Sequence, residues 1–211
     1  ESEIIEEYNY KLHYVQHCPL EPHICISYID ENGRIVIISA TQVPFHTRRI
    51  ISMIFNIPIS KIRVIKPRIG GGFGAKQEVL IEDICVALTL ATGKPVKLEY
   101  TREEEFIGAR TRHPMKIRLK TGVTKDGYLK AIHMNVLSNT GAYGSHSLTV
   151  LSNVGSKTLP LYKWENIKFD GIAVYTNLPV AGAFRGYGAT QGFFALESLS
   201  LIHISEPTRL G

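Results

Sequence analysis

Four glycines fall within five residues at Gly70-Gly71-Gly72-Phe73-Gly74. Before them, Lys61–Lys66 (KIRVIK) alternates apolar and polar residues as a strand does. After them, Gln77–Thr92 places Ile81, Ile84, Cys85, Leu88 and Ala91 on one helical face. A strand, a glycine turn and a helix in succession require a sharp reversal whose backbone can take positive φ and approach a ligand closely. Successive N–H groups at such a turn form a donor-rich hollow suited to an anion. A plain structural turn needs fewer glycines than these. A dinucleotide fingerprint is the rival reading, since Gly70, Gly72 and Ala75 satisfy G-x-G-x-x-A. The segment before it carries Lys61, Arg63, Lys66 and Arg68, where the first strand of a dinucleotide fold is nearly all apolar.

Around this turn the chain mixes strands and helices. Ile24–Ile29 and Arg34–Ala40 read as a hairpin closed by the turn Asp30–Gly33. Pro44–Asn56 reads as a helix with proline in its first turn and Pro58 as its stop. Val96–Tyr100 is a strand, and Thr101 with Glu104 forms a capping box for a short helical turn. Lys116–Val136 predicts two strands joined at Lys125-Asp126-Gly127, Ile167–Tyr175 another strand, and Phe193–Leu196 a helix. Without a strict βαβ rhythm, the fold class is α+β.

Two further constellations stand out. Thr176–Gly192 (TNLPVAGAFRGYGATQG) sets Arg185 between Phe184 and Tyr187 in a glycine frame that also holds Gln191. Such a guanidinium either braces its loop or meets an anionic ligand, and bracing is the expected role. Thr41-Gln42 places a side-chain amide directly after a strand and before Pro44, a plausible point of ligand contact.

Charge and cysteine content narrow the function. The net charge of +5 comes from Lys and Arg interleaved with Asp and Glu, not from a basic stripe, which argues against nucleic-acid binding. No apolar run is long enough for a membrane helix. Cys18, Cys25 and Cys85 lack the spacing of a zinc site or a disulfide framework, and Cys85 reads as a small buried apolar residue. A reducing, cytoplasmic setting is expected. The chain opens Glu1-Ser2-Glu3 without Met, so more sequence is expected upstream. Leu199–Arg209 (LSLIHISEPTR) matches the translation of a transposon-type sequencing adapter. Residues 1–198 are therefore read as an incomplete domain and 199–211 as read-through, and His203 is not offered as a ligand.

Taken in order, HCPLEPH (17–23), ATQ (40–42), IGGGFGAKQ (69–77), ARTRHPMK (109–116), SNTGAYG (138–144) and TNLPVAGAFRGYGATQG (176–192) resemble the molybdopterin-binding subunit of the xanthine dehydrogenase and aldehyde oxidase family. The pairing of GGGFG with AFRGYG is the most specific part. The resemblance implies a partial first molybdenum-cofactor-binding domain. It implies hydroxylation of carbon with water as the oxygen donor, on a metal held by a pterin dithiolene and not by protein side chains. The cofactor is molybdopterin, in its plain or cytosine dinucleotide form. 2Fe-2S clusters and FAD lie on partner domains or subunits. By position, Gln42, Gly71, Gly72, Phe73, Gly74, Arg185 and Gly186 resemble cofactor-binding residues, with the Gly74 N–H beside the metal. Gln77, Phe73 and Tyr187 resemble substrate-binding ones. The family's general base, a glutamate, lies further downstream, so no catalytic residue is assigned in this chain. Gln77 stands where purine-oxidising members have a glutamate, and Asn153 lies where they have a substrate-orienting arginine. Gly186 stands where carbon monoxide dehydrogenases carry a copper-binding cysteine, which argues against that branch. Purines or related N-heterocycles are the leading substrates, aldehydes the alternative, and a non-catalytic half-subunit a third reading.

Overall fold

The computed structural model describes residues 2–199. Its strands are β1 (Ile4–Leu12), β2 (Ile24–Ile29), β3 (Ile35–Ser39), β4 (Ile62–Ile65), β5 (Val96–Glu99), β6 (Met115–Val123), β7 (Leu129–Gly141) and β8 (Asn166–Tyr175). Its helices are α1 (Pro44–Phe55), α2 (Glu82–Thr92), α3 (Arg102–Gly108), α4 (Ser147–Thr158) and α5 (Ala189–Ser198). These elements form two compact units. One is Gln16–Ala109; the other joins the segment up to Val15 with the segment from Arg110.

In the first unit the strand order is β4-β3-β2-β5, with β3 and β4 parallel and the other pairs antiparallel. Parallel neighbours need a crossover, and α1 supplies it between β3 and β4. Its core contains Cys25, Ile35, Ile37, Ile51, Ile62, Ile81, Cys85 and Val86. Cys85 is fully buried, as expected of a small apolar side chain.

In the second unit the order is β1-β6-β7-β8. β6 alternates: Met115, Ile117 and Leu119 are buried, while Lys116, Arg118 and Lys120 face solvent. The buried face meets Ile132, Met134 and Val136 of β7, Val150, Leu151 and Val154 of α4, and Ala195 and Leu196 of α5. Burying each large side chain in such a cluster contributes about 1.5–3 kcal/mol. Leu199 also packs here, at 1% exposed. The rest of the expected read-through, residues 200–211, lies outside the described residues.

Several expectations need correction. α2 starts at Glu82, not at Gln77. The N–H groups of Ala75 and Gln77 turn back onto the carbonyls of Gly72 and Gly74, and the Glu82 carboxylate accepts from the N–H groups of Leu80 and Ile81. Those residues therefore serve the loop and the helix entry. α5 begins at Ala189, earlier than the apolar stretch suggested, and β7 runs on to Gly141. The capping box is present: Thr101 accepts from the Glu104 N–H, and the Glu104 carboxylate accepts from the Thr101 N–H. β1 and α4 had no counterpart in the sequence reading. Among the described residues no helix is long and apolar enough to cross a membrane.

Candidate functional site

In the first unit, Gly70–Gln77 forms the glycine loop between β4 and α2. Gln42, at the end of β3, reaches into it. Its Oε1 accepts from the N–H of Gly74 at 3.0 Å and of Lys76 at 3.3 Å, and its own N–H donates to the Lys76 carbonyl at 2.7 Å. With Oε1 occupied by two donors, the amide nitrogen of Gln42 is the end left to donate to a ligand. A Cβ on Gly72 would lie 2.4 Å from that Oε1, so a larger residue here would push the Gln42 amide off the loop. The Gly74 N–H, expected to face the metal, is thus spent on Gln42. The N–H groups of Gly71, Gly72 and Phe73 donate to nothing among the described residues. Phe73 adopts φ +53° and its side chain is 47% exposed. Left-handed backbone at a bulky non-glycine residue is uncommon and marks a position held by its surroundings. The Gln77 side chain is half-buried and hydrogen-bonds to none of the described residues.

A polar network that sequence reasoning missed holds this loop from behind. Lys76 is 1% exposed, and its Nζ donates to the Glu21 carboxylate and carbonyl, each at 2.8 Å. The same carboxylate accepts from the Gly70 N–H, and the Glu21 N–H donates to the Gly70 carbonyl. Burial works to raise the Glu21 pKa, but the bonds from Lys76 and Gly70 outweigh it and hold the carboxyl below its ordinary value. His23 places Nδ1 2.8 Å from Glu105 Oε1 and Nε2 3.3 Å from the Ala75 carbonyl, so both ring nitrogens face acceptors. For Glu105, burial again raises the pKa and the bonds from His23 more than reverse it. Glu21 and His23 lie within the segment HCPLEPH, but nothing in the sequence pairs them with Lys76 and Glu105, which lie 55 and 82 residues further on.

In the second unit, Gly182–Gly188 forms the other glycine loop. Arg185 was expected to brace it; instead its side chain is exposed and bonds to nothing among the described residues. Arg112 is the brace. Its guanidinium stacks 3.9 Å from the centroid of Phe184, and it donates to the Arg185 carbonyl at 3.1 Å and to Gln191 Oε1 at 3.3 Å. Gln191 is 1% exposed and donates from Nε2 to the His113 carbonyl. Gly186, Tyr187 and Gly188 have φ of +93°, +43° and +94°. A Cβ on Gly188 would lie 2.2 Å from the Val150 carbonyl. The Tyr187 hydroxyl hydrogen-bonds His146 Nδ1, and the two rings meet edge to face. Asn153 sits beside Gly188 on α4.

Each unit therefore presents an aromatic residue at positive φ between two glycines: Phe73 between Gly72 and Gly74, and Tyr187 between Gly186 and Gly188. The sequence profile of the molybdopterin cofactor-binding domain matches residues 1–202, and the chain belongs to that family. It is 43% identical over 210 residues to a protein of Escherichia coli O157:H7 described as a probable hypoxanthine oxidase, covering 100% of this chain and 22% of that protein. The aldehyde oxidoreductase of Desulfovibrio gigas superimposes with a TM-score of 0.89 at 26% identity, covering 99% of this chain and 24% of that one. Quinoline 2-oxidoreductase from Pseudomonas putida 86 gives a TM-score of 0.88 at 30% identity, covering 94% and 26%. The chain thus spans about a quarter of the length of these three proteins. The α+β architecture expected from the sequence is the one these relatives share.

Proposed function

We propose that this chain is part of a molybdenum hydroxylase subunit that oxidises a purine or related N-heterocycle with water as the oxygen donor. The observation that carries the reading is the loop Gly71–Phe73, whose three N–H groups are unengaged beside an amide that can only donate. Such a donor set suits an anionic, oxygen-rich group, and the absence of room for a Cβ at Gly72 suits close approach. Gln42, Gly71, Gly72, Phe73, Gly74, Arg185 and Gly186 are assigned to cofactor binding, with Gly74 acting through Gln42. When bound, molybdopterin supplies two-electron oxidation, and the electrons leave through 2Fe-2S and FAD on partner domains or subunits. Gln77, Phe73 and Tyr187 are assigned to the substrate. The free amide of Gln77 can donate to and accept from a ring nitrogen and carbonyl, but it cannot move a proton. The general base and further pterin contacts are assigned to sequence outside this chain, so the chain alone turns nothing over and binds cofactor weakly. Residues 199–211 belong to this reading as adapter read-through, and the cytoplasm as its compartment.

The relatives described as acting on hypoxanthine and quinoline favour a heterocycle. The likeness to an aldehyde oxidoreductase favours the alternative of aldehyde oxidation. The test is turnover by the assembled enzyme that carries this chain, in ¹⁸O-labelled water, with hypoxanthine, nicotinate and an aromatic aldehyde offered in parallel. Label in a hydroxylated heterocycle supports the proposal. Turnover of the aldehyde alone moves the assignment to the alternative, and molybdenum without turnover moves it to a non-catalytic half-subunit.

A further inference from the structure

Arg112 makes two directed contacts to the second glycine loop and one to the helix that follows it, and none to a carboxylate among the described residues. The stack on Phe184 fixes the plane of the guanidinium, and its two terminal nitrogens then reach different acceptors, the Arg185 carbonyl and Gln191 Oε1. Gln191 is itself locked, being 1% exposed and bonded to the His113 carbonyl. The segment carrying Arg112 is tied to the loop by backbone as well. Thr111 bridges to Ala181, and the Gly182 N–H donates to the Thr111 carbonyl at 2.9 Å. Burial lowers the Arg112 pKa, and no carboxylate among the described residues offsets it. A half-buried guanidinium without a counter-charge costs desolvation energy. Its contacts here point to a task other than an ion pair.

The peptide plane identifies that task. The carbonyl of Arg185 and the N–H of Gly186 belong to one rigid trans peptide and point in opposite directions. Holding the carbonyl therefore aims the N–H. Gly186 is exposed at φ +93°, and its N–H donates to nothing among the described residues. The Tyr187 N–H closes the turn onto the Phe184 carbonyl but does not touch the central Arg185–Gly186 peptide, so without Arg112 the glycine lets that peptide plane flip within the turn.

We propose that Arg112 is a positioning residue that aims the Gly186 N–H, through the Arg185 carbonyl, at the anionic ligand of the second glycine loop. The ligand's identity as molybdopterin rests on the function proposed above; the aiming of the N–H does not. Lysine cannot replace Arg112, because a point ammonium cannot stack on Phe184 and bridge two acceptors held in one plane.

The test uses the assembled enzyme carrying Arg112→Met or Arg112→Lys. The first readout is amide hydrogen exchange across residues 183–188 in cofactor-free enzyme from a host that makes no pterin cofactor. The second is molybdenum per subunit in enzyme from a normal host. Both variants should exchange this segment at least tenfold faster and retain less than a third of the wild-type molybdenum, with urea midpoints near wild type. Exchange within twofold of wild type in Arg112→Met, or full rescue by lysine, would overturn the proposal. Faster exchange with unchanged molybdenum would overturn it too, because the aimed N–H would then serve no ligand. If the wild-type enzyme itself holds no molybdenum, the cofactor reading fails, and the exchange result still decides whether Arg112 sets the loop.

Discussion

Changing Glu21 to Gln should destabilise the chain more than removing the lysine it pairs with. Lys76 is 1% exposed, whereas the Glu21 side chain is 32% exposed. Glu21→Gln keeps the shape and an acceptor oxygen but removes the counter-charge, leaving a buried ammonium with neutral oxygens as its partners. Breaking a buried pair from one side costs about 3–5 kcal/mol, and the two neutral acceptors that survive place this case near 3 kcal/mol. Lys76→Met fills the channel with an uncharged side chain of similar length. It leaves a carboxylate that reaches water and keeps the Gly70 N–H, at a cost of about 1–2 kcal/mol. Adding Lys76→Met to Glu21→Gln removes the stranded cation and should therefore raise stability above that of Glu21→Gln alone. Urea unfolding followed by far-ultraviolet circular dichroism at pH 7 measures all three. The pH dependence has a fixed sign. Because the folded Glu21 carboxyl lies below its ordinary value of 4.5, its contribution is full above about that pH and is lost as pH falls through the lowered folded value. The gap between wild type and Lys76→Met should close in that acid range. If Glu21→Gln costs no more than Lys76→Met, or the double variant is no more stable than Glu21→Gln, the reasoning is refuted.

The remaining predictions concern the two loops and the core. Gly72→Ala puts a Cβ 2.4 Å from Gln42 Oε1 and should cost about 1–3 kcal/mol in urea unfolding while lowering molybdenum retention in the assembled enzyme. Leu119→Ala, at a fully buried position in the core of the second unit, should cost about 2–5 kcal/mol and leave the molybdenum content of the folded enzyme unchanged. Gln77→Leu should reduce heterocycle kcat/KM far more than aldehyde kcat/KM, since a simple aldehyde offers no ring nitrogen to orient; equal losses would remove Gln77 from the substrate site.

Most of the strand and helix positions were legible because burial in both sheets follows simple periodicity, as the alternation along β6 shows. β1 escaped notice because IIEEYNYKL is an edge strand with no fully buried residue, so its apolar pattern is weak. α4 escaped because SLTVLSNVGSKT is rich in Ser, Thr, Asn and Gly, and its helix rests on Val150, Leu151 and Val154 packing into the core. The glycine loops were legible as loops. Their internal wiring was not: whether Gly74 faces a ligand or Gln42, and whether Arg185 or Arg112 braces the second loop, depends on contacts between segments far apart in the chain. A lone charged residue carries no sign of its partner in one sequence, which is why Lys76 and Arg112 were read as parts of motifs without a role.

The most direct test of the central claim is the molybdenum and pterin content, per subunit, of the assembled enzyme that carries this chain, measured by elemental analysis and by fluorescence of the oxidised pterin. The account predicts about one of each in the wild type and a large loss of both in Gly72→Ala. A folded, assembled wild-type enzyme that holds neither, or a Gly72→Ala enzyme that holds both in full, would contradict it.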